Sequence, residues 1–221
     1  MQTGRRHFVA ATLAGASGIA LAGACASARA QQRTPTEGTE YKAVKPQQST
    51  EAPTGKIEVV EFFWYGCPHC NTLEPMLDEW VKKQPADVHF RKVHVPFQEQ
   101  KHQQLYYALE SLGKTGELNR KVFQAIHAER NRLNTPDLMV ALVEKNGIDR
   151  KTFIDTFNSF SVQTKMKRAS QLAEGYGVDG VPAFGVAGRW YTAPSMAGSN
   201  AAALALVEQL VDRERKGGVR R

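Results

Sequence analysis

The sequence predicts an α/β fold in which a sheet is interrupted by a long all-helical segment. The first observation is the pair of strand-like segments 57–63 and 88–95, which flank a helical pattern and so form a βαβ unit. The second is a wholly helical pattern from about 99 to 175. The third is the return of strand-like segments at 183–186 and 189–192, after the helical block.

The βαβ unit begins with a buried strand over 57–63, because this segment is β-branched and aromatic. A helix is predicted from Pro68 to about Lys83, since proline suits the first helical turn and apolar residues then recur at helical spacing. A helical connection of this kind makes strands 57–63 and 88–95 parallel, with a right-handed crossover. The apolar stripe of the helix comprises Leu73, Met76, Leu77, Trp80 and Val81.

Capping signals divide the helical block into five helices. Thr135, Asp149 and Ser161 mark helix starts, whereas Gly147 and Gly175 mark helix ends. The predicted helices span 99–112, 117–130, 136–145, 150–158 and 162–174.

The chain after the helical block supplies two more strands and a terminal helix. Strands 183–186 and 189–192 flank Ala187-Gly188, a two-residue connection that predicts a tight hairpin. Ser199 or Asn200 then caps a last helix, which extends to about Arg213.

The composition is that of a globular protein, because 42% of the 221 residues are hydrophobic and 23% are charged. The net charge of +7 is compatible with acidic partners, but no basic-aromatic pattern indicates nucleic-acid binding. Outside the N-terminal segment, no apolar run approaches the roughly 20 residues of a bilayer span. The three cysteines are too few for a disulfide scaffold, so their positions matter more than their number.

Residues 1–30 have the features of a cleaved signal peptide. Arg5 and Arg6 form a basic start, a small-residue apolar segment follows, and Ala28-Arg29-Ala30 is a cleavage site. The apolar segment is too short and too rich in Ala and Gly for a membrane-spanning helix. Two alternatives stay open, a twin-arginine signal and a lipoprotein signal that leaves Cys25 lipidated. The cleavage site favours a soluble product in the periplasm.

Cys67-Pro68-His69-Cys70 stands between the first strand and its helix, where a Cys-x-x-Cys pair predicts redox chemistry. Free backbone N–H groups and the helix dipole favour the thiolate of Cys67. Cys70, one turn further in, can attack a mixed disulfide formed at Cys67. Pro68 and His69 tune the pair, since a donating imidazole stabilises the thiolate and makes the disulfide a stronger oxidant. A structural disulfide and a zinc site, with His69 as a further ligand, are the alternatives.

Glu61 interrupts an otherwise apolar strand one element away from Cys67. A buried carboxylate is costly unless it is paired, and Lys92 on the neighbouring strand is a candidate partner. Such a pair could pass protons to and from the Cys70 thiol. The alternative is an edge or bulge position at which Glu61 reaches water. Glu74 is expected to be solvated.

The chain resembles the DsbA-type thiol:disulfide oxidoreductases. The residues that carry the resemblance are Glu61-Phe62-Phe63, Cys67-Pro68-His69-Cys70, Lys92-Val93-His94-Val95 and Gly180-Val181-Pro182-Ala183-Phe184. The resemblance covers about residues 40 to 212. It implies a thioredoxin-like fold with an inserted all-helical domain. The implied parts are a signal peptide 1–30, a linker and N-terminal arm 31–55, a discontinuous thioredoxin-like domain 56–98 and 176–214, the helical insertion 99–175, and a basic tail 215–221.

The resemblance also implies a function and roles for its residues. Cys67 becomes the surface nucleophile, Cys70 the resolving thiol, and Pro182 a cis-proline that presents the backbone of Val181 to an extended client. The implied protein is a monomeric periplasmic oxidase that donates its disulfide to reduced, unfolded exported proteins. A quinone-linked membrane reoxidase of the DsbB type would regenerate it. No cofactor, metal or nucleic acid is expected.

Three other functions stay open at this point. The nearest is a disulfide isomerase or reductant on the same fold, although residues 31–55 are too short for a separate dimerisation domain. The second is a zinc-binding or metal-delivery module that uses Cys67 and Cys70 as ligands. The third is an exported binding protein in which the two cysteines form a structural disulfide.

Overall fold

The computed structural model describes residues 34–217. The expected signal peptide, with Arg5, Arg6 and Cys25, and the last residues of the basic tail lie outside this range. The described elements in chain order are β1 Tyr41–Ala43, β2 Ile57–Phe63, α1 Pro68–Lys82, β3 Val88–His94, α2 Gln100–Ser111, α3 Thr115–His127, α4 Pro136–Lys145, α5 Arg150–Phe157, α6 Phe160–Tyr176, β4 Ala183–Val186, β5 Trp190–Thr192, α7 Pro194–Ala197 and α8 Asn200–Gly217.

The strands form one five-stranded sheet in the order β1-β5-β4-β2-β3. Strands β2 and β3 are parallel, which confirms the predicted βαβ unit. The remaining pairs, β2 with β4, β4 with β5 and β5 with β1, are antiparallel. Every residue of β2 is buried, which explains why its sequence is almost continuously apolar rather than alternating.

Strand β1 lies in the segment that the sequence indicates as a linker and arm, where no strand is predicted. It pairs with the edge of the hairpin, placing Tyr41 opposite Thr192 and Ala43 opposite Trp190. The Thr192 hydroxyl also donates a hydrogen bond of 2.7 Å to the carbonyl of Glu40. Three residues of mixed type carry no strand pattern of their own, so the partner strand determines this element.

Helices α3, α6 and α8 differ from the prediction in their boundaries, and α8 extends to Gly217 instead of about Arg213. Helix α6 begins at Phe160 and is capped by Ser159, whose hydroxyl accepts from the Val162 N–H, so Ser161 is not the cap. It ends at Tyr176 and is followed by the C-cap residue Gly177, which has the left-handed φ of 64°, whereas Gly175 lies inside the helix. Helix α3 runs from 115 to 127 instead of 117 to 130. The caps predicted for α4 and α5, Thr135 and Asp149, are confirmed.

The predicted hairpin and the terminal helix cap are also present. The turn between β4 and β5 places Ala187 at φ 53° and Gly188 at φ 69°, both left-handed, as a two-residue hairpin of this kind requires. The Ser199 hydroxyl accepts from the Ala202 N–H at 3.1 Å, so Ser199 caps α8.

Gly188 carries a testable packing constraint, because a Cβ there would lie 2.1 Å from the backbone oxygen of Gln48. Gly113 has a similar φ of 68°, but no atom lies within 4 Å of its Cβ position. We expect Gly113→Ala to cost about 1 kcal/mol of unfolding free energy, from backbone conformation alone. Gly188→Ala adds a clash with fixed backbone, so its loss exceeds about 2 kcal/mol. Urea unfolding measures both variants, and equal losses would contradict this account.

The sheet is buried on both faces. On one face, Val59 and Phe184 pack against α1 and α8. On the other, Val60 and Phe62 pack with apolar residues of helices α2 to α6. Central strand β2 therefore lies in the middle of the molecule, with Glu61 on it. Over 34–217, no helix is both long and apolar enough to cross a membrane.

Candidate active site

Cys67 and Cys70 lie at the start of α1, directly after β2. Cys67 is the N-cap residue with extended backbone angles, Pro68 occupies the first turn, and the Cys70 N–H donates to Cys67 Sγ at 3.4 Å. Both thiols are free, so this is the dithiol form. Pro68 and His69 are exposed, whereas Cys70 is fully buried and Cys67 is only 6% exposed. The nucleophile implied to be on the surface is thus recessed, because the Val181–Pro182 segment lies against it.

The two thiols have opposite acidities. A hydrogen bond from the Cys70 side chain, helped by the N–H groups of Cys70 and His69 and by the charge of His69, lowers the pKa of Cys67 to about 6, although burial opposes this. Burial raises the pKa of Cys70 far above its usual range, and its hydrogen bond to Cys67 and the charge of Glu61 add to the increase. At neutral pH, Cys67 is therefore a thiolate and Cys70 a thiol.

Val181 and Pro182 complete the surroundings of Cys67 from the far end of the chain. The peptide bond between them is cis, and Pro182 immediately precedes β4. In the thiol form, Cys67 Sγ donates to the Val181 carbonyl oxygen at 3.4 Å. The sheet brings these residues together, because β4 lies next to β2, which leads into the Cys67 turn.

Beneath the two thiols lies a buried cluster of charged side chains. Glu61 and Lys92 are opposite one another in the parallel register of β2 and β3, and Lys92 Nζ lies 3.1 Å from Glu61 Oε2. Lys92 also contacts Glu74 Oε1. Glu61 is fully buried in a central strand, which rules out the edge position.

Glu74 was expected to be solvated, and this prediction is wrong, since the residue is only 3% exposed. It shares the inward side of α1 with Leu73 and Leu77. Lys92 from β3 and Asn119 from α3 cover its carboxylate. Neither partner is near in sequence, so no local signal indicates that Glu74 is buried.

Burial dominates the acidity of this cluster. It raises the pKa of Glu61 to about 7, and Glu74 adds to this increase, whereas the charge of Lys92 opposes it. Burial also raises the pKa of Glu74, against the charge of Lys92. For Lys92, burial lowers the pKa, but the two carboxylates outweigh it and leave the pKa above its usual value. Lys92 is thus protonated in the resting protein, and Glu61 can gain or lose a proton near neutral pH.

Two histidines, for which the sequence shows no role, hold the turn that precedes Cys67. The Tyr65 N–H donates to His94 Nε2 at 3.2 Å, and His127 Nε2 donates to the Tyr65 carbonyl at 2.8 Å. Burial holds the pKa of His94 well below its usual range, so its ring is neutral and can accept. A signal for His94 was available, because the parallel register places it beside Phe63 at the end of β2. None was available for His127, which comes from the helical segment.

These features define a class of protein. A sheet strand leads into a helix-capping thiolate, a buried partner thiol follows one turn later, and the carbonyl of the residue before a cis-proline lies against the first sulfur. This is the arrangement of a thioredoxin-like thiol:disulfide oxidoreductase. Across the described residues, no group of three or more His, Cys, Asp or Glu side chains could hold a metal ion.

Comparison with known proteins gives the family. The DSBA-like thioredoxin domain family matches residues 98–209. The thiol:disulfide interchange protein DsbA of Bordetella pertussis is 46% identical over 180 residues, which are 80% of this chain and 85% of the relative. That of Burkholderia cepacia is 39% identical over 183 residues, covering 82% and 86% of the two chains. The chain belongs to the DsbA family of thiol:disulfide interchange proteins.

Solved structures agree with this assignment. The crystal structure of Pseudomonas aeruginosa DsbA matches with a TM-score of 0.79 and 39% identity, over 83% of this chain and 96% of that one. The oxidoreductase DsbA of Xylella fastidiosa matches with a TM-score of 0.77 and 30% identity, over 82% and 98%. The thioredoxin-like fold with a helical insertion is thereby confirmed, and the protein is a thiol:disulfide oxidoreductase.

Proposed function

We propose that the protein is a periplasmic oxidase that transfers the Cys67–Cys70 disulfide to reduced proteins newly exported from the cytoplasm. The observation that carries this proposal is the placement of the two thiols: Cys67 caps the helix and accepts from the Cys70 N–H, whereas Cys70 is fully buried. This placement gives the two thiols opposite acidities. A stabilised Cys67 thiolate stabilises the reduced protein, so its disulfide readily accepts electrons. Each unit of pKa lowering corresponds to about 1.4 kcal/mol, or roughly 30 mV in a two-electron potential.

The exchange proceeds in two displacements. A client thiolate attacks Cys67 Sγ, the Cys67–Cys70 bond breaks, and Cys70 leaves as a thiolate that takes up a proton. A second client thiolate then attacks the client sulfur of the mixed disulfide and releases Cys67 as a stable thiolate. The client loses two electrons and two protons, and the oxidase gains two electrons. One proton goes to Cys70 and the other to solvent, since Cys67 remains ionised.

Glu61, Lys92 and Glu74 supply the proton that Cys70 needs. Glu61 raises the pKa of Cys70 through its charge and can itself hold a proton near neutral pH. Lys92 contacts both carboxylates and can take a proton from Glu74 as it gives one to Glu61. The cluster therefore links the buried thiol to the outer carboxylate.

The client binds alongside the cis-proline segment. The Val181 carbonyl lies within 3.4 Å of Cys67 Sγ, so an extended client segment that pairs with this backbone brings its cysteine to the nucleophile. Main-chain pairing of this kind does not depend on which side chains the client carries, so it suits an enzyme that acts on many unfolded sequences. Pro68 and His69, both exposed, form the opposite side of the approach.

The expected signal peptide supports action in the periplasm, an oxidising compartment in which a dithiol needs a dedicated reoxidant. We infer that a quinone-linked membrane protein of the DsbB type accepts the two electrons from Cys67 and Cys70. The oxidase acts as a monomer, because one chain contains both thiols, the Val181 carbonyl and the charged cluster. It needs no cofactor and does not bind nucleic acid.

The decisive experiment combines a redox equilibrium with an activity. Purified protein is equilibrated with reduced and oxidised glutathione, and the disulfide fraction gives the potential of the Cys67–Cys70 pair. Its oxidised form is then mixed with a reduced, unfolded protein that contains cysteines. A potential more oxidising than that of glutathione, with stoichiometric client oxidation, supports the proposal. A reducing potential, efficient repair of scrambled disulfides, or stoichiometric zinc on the thiols would contradict it.

The charged cluster predicts a pH-dependent stability. Lys92→Met leaves Glu61 and Glu74 as unpaired buried carboxylates, so we expect a loss of about 3 kcal/mol of unfolding free energy at pH 8. Their pKa values are raised in the folded state, so the loss appears above the folded pKa and shrinks at pH 5, where both can be protonated. Urea unfolding at the two pH values measures it.

Lys82→Met is the matched control, since it removes the cation of an exposed ion pair with Glu79. We expect no measurable change there at either pH. A loss in the Lys92 variant that is the same at pH 5 and pH 8 would show that packing, and not charge, determines the effect.

A further inference from the structure

Asn119 of α3 contacts the buried cluster without contributing a charge. Its Nδ2 donates to Glu74 Oε2 at 2.8 Å, while the other carboxylate oxygen, Oε1, contacts Lys92 Nζ. Asn119 is only 8% exposed. The hydrogen bond therefore fixes the orientation of Glu74 and determines which oxygen faces the lysine.

The carbonyl oxygen of the Asn119 side chain is available for a second hydrogen bond. Asn119 Oδ1 is buried and has no hydrogen-bond partner within residues 34–217. A primary amide donates through Nδ2 or, after rotating by half a turn, accepts through Oδ1. Asn119 can thus hold Glu74 as a carboxylate by donating to it, or as a carboxylic acid by accepting from it. An ionised aspartate could only accept, and a leucine could do neither.

Glu74 is also the carboxylate of the cluster that lines an open cleft. The cleft lies between α1 and α3, has a volume of about 410 Å³, and is lined in addition by Asn71, Arg120 and His127. Glu61, in contrast, is completely enclosed. Of the two carboxylates, Glu74 is therefore the one that can exchange a proton with this cleft, and it is the carboxylate that Asn119 holds.

Charged and titratable groups face Glu74 from every neighbouring element. Lys92 and Arg120 favour its ionised form, whereas Asp78 disfavours it, and burial is the largest influence. The groups that face it are Glu61 of β2, Lys92 of β3, Asp78 of α1, Arg120 and His127 of α3, and Tyr65 of the turn before α1.

We propose that Asn119 is a positioning residue that holds Glu74 in both protonation states and so helps to deliver a proton from the α1–α3 cleft to Cys70. This rests on the proposed disulfide exchange and its charged cluster. When the Cys67–Cys70 bond breaks, Glu61 gives its proton to the Cys70 thiolate and receives one from Lys92. Lys92 is reprotonated by Glu74, which takes a proton from solvent. The helical insertion thereby contributes to the redox site through a side chain that touches neither sulfur.

The test compares Asn119→Leu and Asn119→Asp with the unaltered protein. The first readout is the titration midpoint of the Glu74 carboxyl, which carbon NMR measures. The second is the pH dependence of single-turnover oxidation of a reduced peptide. Losing the donor disfavours the Glu74 carboxylate, so in Asn119→Leu both midpoints move up by about one pH unit. Asn119→Asp adds a like charge and moves them further.

Gln124→Leu is the matched control, because Gln124 lines the same cleft but donates to Glu129 and not to Glu74. Its midpoints stay at their original values. Should Asn119→Leu fail to fold, the aspartate variant gives the same two readouts. Unchanged midpoints in a folded Asn119 variant overturn the proposal, even where stability falls. Failure of the unaltered protein to oxidise the peptide would instead overturn the proposed function.

Discussion

Cys67→Ser abolishes the oxidation of reduced clients. The hydroxyl that replaces the thiol cannot form a disulfide and is not ionised at neutral pH, so neither exchange step has a sulfur to attack. The substitution is nearly isosteric, and Cys67 is at the edge of the core, so the fold is retained. We expect the rate of client oxidation to fall to the uncatalysed background. Thiol consumption in a reduced, unfolded protein measures this rate.

Cys70→Ser produces a different defect at the same site. The Cys67 thiolate still attacks disulfides, but no second thiol is present to resolve the mixed disulfide from within. We therefore expect a covalent complex to accumulate when this variant is mixed with a protein that carries a disulfide, visible on a non-reducing gel and cleaved by reductant. Full oxidase activity in Cys67→Ser, or accumulation of the complex in that variant instead of in Cys70→Ser, would invert the assigned roles.

Local patterns predict most of the sheet and the helices. The βαβ unit follows from an apolar strand, an amphipathic helix and a second strand, all within the segment 57–95. The hairpin follows from the two-residue turn at Ala187-Gly188. Strand β1 was not predictable, because its three residues become a strand only by pairing with β5. Ser159 and Ser161 are equally good caps by residue type, and only the packing of α6 distinguishes them.

The candidate site likewise contains some residues that the sequence predicts and others that it does not. Cys67, Cys70 and the opposed pair of Glu61 and Lys92 are accessible from sequence, since a motif and a parallel register place them. The burial of Glu74 is not accessible, and the same is true of the contacts made by Asn119 and His127. These depend on how α3 docks against α1, and the docking is set by contacts between segments 45 or more residues apart.

The lowered pKa of Cys67 also predicts that the unfolding free energy of the reduced protein depends on pH. Its pKa is about 6 in the folded protein and 9.0 in an unperturbed thiol, so the unfolded chain binds more protons between these values. The contribution to stability is fully present above the unfolded value and is lost as the pH falls through the folded one. Between these two pKa values, the contribution of Cys67 to the unfolding free energy rises by up to about 1.4 kcal/mol per pH unit.

This slope separates a thiolate from a thiol that is merely buried. A buried neutral thiol would leave the stability difference between the reduced protein and Cys67→Ala independent of pH between 6 and 8, whereas a stabilised anion makes this difference rise. We expect the stability advantage of the reduced protein over reduced Cys67→Ala to be about 1.4 kcal/mol larger at pH 7 than at pH 5, on top of a packing difference that does not change with pH. Glu61 is present in both the unaltered protein and Cys67→Ala, so its titration cancels in the difference between them. Ultraviolet thiolate absorbance against pH should show a midpoint near 6 that disappears in Cys67→Ala; a midpoint near 9 would remove the physical basis for an oxidant.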